Sequence, residues 1–156
     1  MRRTIVIFGL LALLGVFAPD LAAGEMDDYI ELLQADLRAS RVAVLTEGMG
    51  LAEGEGAIFW PLYRKYELER SGLEDRRIAL VKEFGAHLSD MTDETADELL
   101  STARKLDTDR QRAMNRALKK MLRSLPARTV ARFYQIERRL DLVVDIQFAA
   151  EVPLIP

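Results

Sequence analysis

"GAIFWPLYRKY", Gly56 to Tyr66, sets a proline and four aromatic residues inside a span whose apolar positions recur at helical spacing. If the chain broke at Pro61 it would yield two short helices. If it ran through, it would yield one helix long enough to form half of an extended hairpin. A proline inside a helix removes one backbone hydrogen bond and crowds the carbonyl four residues earlier, at a cost of about 3 kcal/mol. Here that residue is Ala57, beside Gly56, so the ring meets small side chains. Phe59 and Tyr63 are four apart and Tyr66 follows three later, so the three share a face. Burying each large side chain contributes about 1.5–3 kcal/mol. Two or three of them offset the proline, and the stretch reads as a bent but continuous helix.

Working outward, this helix extends from about Glu53 to Leu88, with Ile58, Leu62, Tyr66, Leu73, Leu80, Phe84 and Leu88 as its apolar stripe. Before it, a first helix from about Asp28 to Glu47 carries Tyr29, Leu32, Leu33, Leu37, Val44 and Leu45, and Gly48-Met49-Gly50 ends it. After it, Ser89 to Thr92 form a turn in which Thr92 is the expected N-cap, with Asp93 and Glu94 at the positive end of the helix dipole. The third helix runs to about Leu125 with Leu99, Ala103, Leu106, Ala113, Ala117, Met121 and Leu125 inward. Pro126 suits a first helical position, opening a fourth helix to about Glu151. Its expected inward residues are Val130, Phe133, Ile136, Leu140, Val143 and Ile146, and Pro153 stops it. The expected fold is all-α, four helices with a long antiparallel hairpin, and hairpins this long and thin are expected to bury their apolar faces in a homodimer. Halfway along the hairpin, "ERSGLEDRR" (Glu69 to Arg77) faces "RKLDTDRQR" (Arg104 to Arg112), with residue 72 opposite about residue 108. This polar waist reads either as a solvated stretch laced with ion pairs or as a groove for a partner.

The first residues bear on compartment. Met1-Arg2-Arg3, the apolar run Ile5 to Ala18, and Ala22-Ala23-Gly24 follow the pattern of a cleaved secretory leader. The run is shorter than the roughly 17–25 residues that a spanning helix needs. The expected organisation is a signal peptide over residues 1–24 and a single all-helical periplasmic domain over 25–156, with no stable membrane insertion once the leader is removed. The whole chain carries a formal charge of −3 with its signs interspersed, which offers no basic stripe to nucleic acid. Cysteine is absent, which removes disulfides, thiol chemistry and thiolate metal sites.

Candidate site residues are few. The aromatic stretch supplies Phe59, Trp60, Tyr63 and Tyr66, and "RFYQIE" (Arg132 to Glu137) supplies Phe133 and Tyr134 as its receiving surface. These six are read as hydrophobic core or as a client- or partner-binding surface. Trp60 lies off the stripe and is the aromatic most suited to contact something else. His87 is the sole histidine and stands four residues from Met91 with Asp90 between, a weak candidate set for a soft or borderline metal. No histidine-centred acid–base group, glycine-rich phosphate loop or cofactor motif stands out, so neither catalysis nor a cofactor is expected.

Three helix openings remain: "LAEGE" (Leu51 to Glu55), "MTDET" (Met91 to Thr95) and "LPART" (Leu125 to Thr129). They resemble degraded copies of the L-T-x-x-Q motif of the Spy/CpxP-type periplasmic proteins, although none has the glutamine and the histidine cluster of the metal-sensing members is missing. "FWPLY" together with "RFYQIE" also resembles a branch of secreted bacterial helical proteins. The first resemblance implies an antiparallel cradle-like dimer and a chaperone-like role, or modulation of an envelope-stress sensor domain. The partners implied are a second copy of the chain and unfolded or envelope proteins. The alternative is a periplasmic metal-binding or metal-sensing protein centred on His87 and Met91.

Overall fold

The computed structural model describes residues 40–155. The leader over 1–24 and the expected first-helix positions Tyr29, Leu32, Leu33 and Leu37 lie outside the described residues. The architecture that follows belongs to the unit Arg41–Pro156.

Four helices account for that unit, and no strand occurs among the described residues. The first, α1, is helical over the described residues 40–49. Gly50 follows with a left-handed φ of 53°, and Arg132 donates to the Met49 carbonyl at 3.1 Å, satisfying a helix-end acceptor. The left-handed φ favours glycine there, and a Cβ at residue 50 would lie 2.8 Å from that guanidinium, whose flexible end would have to shift. Helix α2 spans Glu55–His87 without a break at Pro61. Ala57 and Pro61 are both exposed, so the carbonyl freed by the missing N–H lies on the solvent side. Helix α3 spans Asp93–Met121, and the Thr92 side chain accepts from the Thr95 N–H at 3.2 Å, the cap its sequence called for. Helix α4 spans Ala127–Glu151. Pro126 is its extended N-cap, ψ 141°, one position earlier than expected, because the residue before the helix has no obligatory donor either.

The openings of α2 and α4 meet. The Glu55 carboxylate accepts from the Ala52 N–H at 3.0 Å and from the Thr129 hydroxyl at 3.1 Å, joining Leu51–Glu55 to Leu125–Thr129.

Helices α2 and α3 form the antiparallel hairpin. Arg116 hydrogen-bonds Glu69, and Arg76 lies 3.4 Å from Asp109, so the two polar waists face each other. The pairs 69 with 116 and 76 with 109 place residue 72 opposite about residue 113, about five residues from the expected pairing, because the hairpin is centred near residues 92–93 and not at residue 90. On α3 the expected stripe is largely observed: Leu99, Leu106, Ala113, Ala117 and Met121 are buried, as is Leu125 just beyond it, while Ala103 is half-buried.

On α2 the expected stripe is corrected at Ile58, which is 40% exposed; Phe59, Tyr63 and Tyr66, whose shared face the sequence marks, are buried, as is Leu73. The inward line therefore steps 59, 63, 66, 70, 73, 77, 80, alternating four and three residues, which is the repeat of helices packed side by side. That line carries Arg70 and Arg77 among its apolar members, and the corresponding line of α3 carries Arg110. In α4 the correction is larger: Val143 and Ile146, expected inside, are 56% and 61% exposed, and Val44 of α1 is 43% exposed.

Two apolar clusters result. The larger gathers Leu45 and Met49 from α1, Phe59, Tyr63 and Tyr66 from α2, Met114, Ala117 and Met121 from α3, Leu125 from the connection, and Val130 and Phe133 from α4. The smaller consists of Leu73, Leu106 and Ala113, with Leu80 against it. Among the described helices, none is long and apolar enough to cross a membrane.

Candidate functional site

Phe133 is the hub of the aromatic cluster. Phe59, Tyr63 and Tyr66 meet its ring nearly edge-on, at centroid distances of 5.6, 6.1 and 5.7 Å. Such pairs add about 0.5–1.5 kcal/mol each beyond the area they bury. Their sum, with the burial itself, exceeds the cost of Pro61. All four rings are enclosed and offer no face to a partner. Trp60 is half-buried, edge-on to Phe59 at 5.1 Å and to Tyr63 at 5.8 Å, so it closes the rim of the cluster. Tyr134 points outward, 38% exposed. Of the six aromatic candidates, only Trp60 and Tyr134 present surface.

Beneath the hub lies a set of charges that sequence reading missed. Glu137 is fully buried, and its Oε2 accepts from Arg41 at 2.6 Å and from the Tyr66 hydroxyl at 3.4 Å. Its Oε1 is buried with no hydrogen-bond partner. Arg41 also reaches Asp141 at 3.1 Å. One turn further, Asp145 accepts from Arg77 of α2 at 2.7 Å and lies 3.5 Å from Arg110 of α3. Arg77 in turn stacks over the Phe148 ring at 4.1 Å, a cation–π contact. Glu137, Asp141 and Asp145 are spaced four residues apart, so they form one inward ladder on α4. Leu142, Val143 and Ile146 are thereby turned out to solvent.

The electrostatics follow from burial. Removal from water pushes the Glu137 carboxyl above its ordinary value, more than the Arg41 charge pulls it back. The Tyr63 and Tyr66 phenols are raised for the same reason, reinforced by the Glu137 charge, so both stay protonated. Burial works against the Arg70 guanidinium, but the paired hydrogen bonds it makes to Glu67 at 2.8 and 2.9 Å outweigh this and raise it. Glu137 is walled off from solvent, so it cannot exchange a proton with a substrate.

The weak metal candidates sit at the far end of the hairpin. The His87 Nδ1 lies 3.9 Å from Asp90 Oδ1, with Met91 beside them in the turn. Among the described residues there is no group of three or more histidine, cysteine or acidic side chains placed to hold a metal ion. At the waist, Glu69, Gly72, Leu73, Arg76, Asp109 and Arg116 line a recess of about 310 Å³. Its two arginines are engaged in ion pairs across the hairpin.

The ladder had a signal in sequence, acidic residues at i, i+4 and i+8, but its arginine partners Arg41, Arg77 and Arg110 lie 35 to 100 residues away along the chain. Comparison with protein-family models, with curated proteins and with solved structures returns no match, so the functional reading rests on this geometry and on the sequence.

Proposed function

We propose that the chain is a non-enzymatic interaction protein of the periplasm, chaperone-like or modulating an envelope-stress response, acting as a homodimer. The observation that carries this reading is the outward aliphatic face of α4, Leu142, Val143 and Ile146, each more than half exposed while the carboxylates of the same helix face inward. Apolar surface kept in water along a helix is a feature of binding faces. Leu154 and Ile155, also exposed, extend the apolar character beyond the helix end. The leader-like residues 1–24 and the resemblance of the three helix openings to the Spy/CpxP-type proteins support the compartment and the class of activity.

The test is suppression of aggregation of an unfolding model client by the purified protein, with Leu142→Ser/Val143→Ser/Ile146→Ser as the comparison. Wild type should protect at near-stoichiometric ratio and the variant should protect less, with its thermal unfolding little changed. A wild-type protein that leaves aggregation untouched overturns the chaperone-like reading. Light scattering at micromolar concentration should give about twice the monomer mass, and a monomer there removes the dimer from the proposal.

A further inference from the structure

The charges of α4 are sorted by face. Glu137, Asp141 and Asp145 point inward to arginines of the other helices, whereas Arg128, Arg132, Arg138 and Arg139 are exposed. Arg138 stands four residues before Leu142, and Arg139 four before Val143, so arginines and aliphatic residues follow one another along the same outward face. The sorting extends into the connection from α3. Between Lys119 and Arg139 seven residues are lysine or arginine, all of them exposed, and the single carboxylate is the buried Glu137. Charges that are interspersed over the whole chain are therefore segregated here. Among the described residues Arg128, Arg138 and Arg139 make no ion pair, whereas Arg41, Arg70, Arg77 and Arg110 are each matched to a carboxylate.

We propose that the outward face of α4 docks on an anionic lipid bilayer, with its arginines on headgroup phosphates and Leu142, Val143 and Ile146 in the boundary beneath them. Unmatched cations call for anions, and an aliphatic continuation one turn away calls for an apolar medium. A bilayer with anionic headgroups supplies both side by side, within the few ångströms that a surface-lying helix sinks. A nucleic acid supplies the phosphates without the apolar layer. The formal charge of the chain, −3, is repelled by such a surface, but screening at physiological ionic strength limits each charge to about 8 Å, so the local arginines decide. A helix held in this way lies on the bilayer and does not span it. Lipid and client would share the aliphatic residues, but only lipid calls on the arginines, so the two are tested apart.

The test is co-sedimentation of the protein, purified as it accumulates in cells, with vesicles. At low salt, vesicles of phosphatidylcholine containing phosphatidylglycerol should bind it about tenfold or more tightly than phosphatidylcholine alone. Arg138→Gln/Arg139→Gln should weaken binding to the anionic vesicles by about 25-fold, fivefold for each arginine. Arg64→Gln/Lys65→Gln, the same loss of charge at exposed positions of α2, should bind as wild type does. Leu142→Ser/Val143→Ser/Ile146→Ser should also bind more weakly. No preference for the anionic vesicles overturns the proposal, as do equal losses in the α2 and α4 charge variants or undiminished binding by the serine variant. Soluble polyglutamate that strips wild type from the vesicles overturns it too, and assigns the arginines to an acidic protein segment. Should Arg138→Gln/Arg139→Gln fail to fold, the two vesicle compositions and the polyglutamate competition decide with wild type alone.

Discussion

Arg41 and Glu137, 96 positions apart in the chain, meet at 2.6 Å inside the protein, and each is nearly or wholly removed from water. A buried pair of this kind contributes less than its short distance suggests, since desolvating two charges offsets most of their attraction. Breaking it from one side is another matter. Arg41→Met should destabilise by about 3–5 kcal/mol in urea denaturation, because it strands a buried carboxylate. The double change Arg41→Met/Glu137→Met should recover a large part of that loss, and additivity of the two single effects would contradict the coupling.

Acid should favour the fold through Glu137. Its folded value is raised above the ordinary 4.5, so the folded protein holds this proton more tightly than the unfolded chain. That contribution is fully present below about pH 4.5 and is lost as the pH rises through the elevated folded value. As pH falls from 7 toward that range, wild type should therefore gain stability relative to Glu137→Gln, measured as the difference between their urea midpoints. A difference that is flat or slopes the other way rejects the assignment.

Phe133→Ala should cost about 3–5 kcal/mol, as it removes the ring on which three others converge. Trp60→Ala should cost less, about 1–2 kcal/mol, for the loss of two edge contacts at a half-buried site. Trp60 is the sole tryptophan, so its emission reports the cluster directly and should shift to the red in Phe133→Ala before global unfolding. Equal costs for the two substitutions would mean that Trp60 is core and not rim.

Calorimetric titration with zinc, copper and nickel should show no site tighter than the micromolar range, since His87, Asp90 and Met91 supply too few strong ligands for tight binding. Tight binding abolished by His87→Ala would favour the metal-binding alternative over the interaction protein.

The helical hairpin could be read from the sequence because its determinants are local: Thr92 caps α3, Gly50 ends α1, and the stripe Leu99 to Met121 has no rival face. The inward face of α4 could not. Val143 and Ile146 are as apolar as Val130 and Phe133, and periodicity alone assigns all four to one interior. The actual face is chosen by Arg41, Arg77 and Arg110, which lie on three other helices and have no sequence relation to the carboxylates they select. On α2 the error was smaller and had the same origin. Counting apolar residues favoured Ile58, whereas the four-and-three repeat admits Arg70 and Arg77 and so runs through Phe59 and Tyr63.

The membership of the larger cluster also sets an order of events in folding. Leu45 and Met49 are buried against Val130 and Phe133, so the chain between them must be complete before either is covered. The α2–α3 hairpin closes across a short turn and can form early, but the rings of Phe59, Tyr63 and Tyr66 gain their common partner only with residue 133. During synthesis, which proceeds from the N-terminus, Met114, Ala117 and Met121 of α3 reach these aromatics first, but their covering is complete only once residue 133 has been made. The nascent chain is therefore itself a substrate for holding factors until its fourth helix emerges, and a ribosome-stalled chain ending before Phe133 should be degraded much faster than one ending after it.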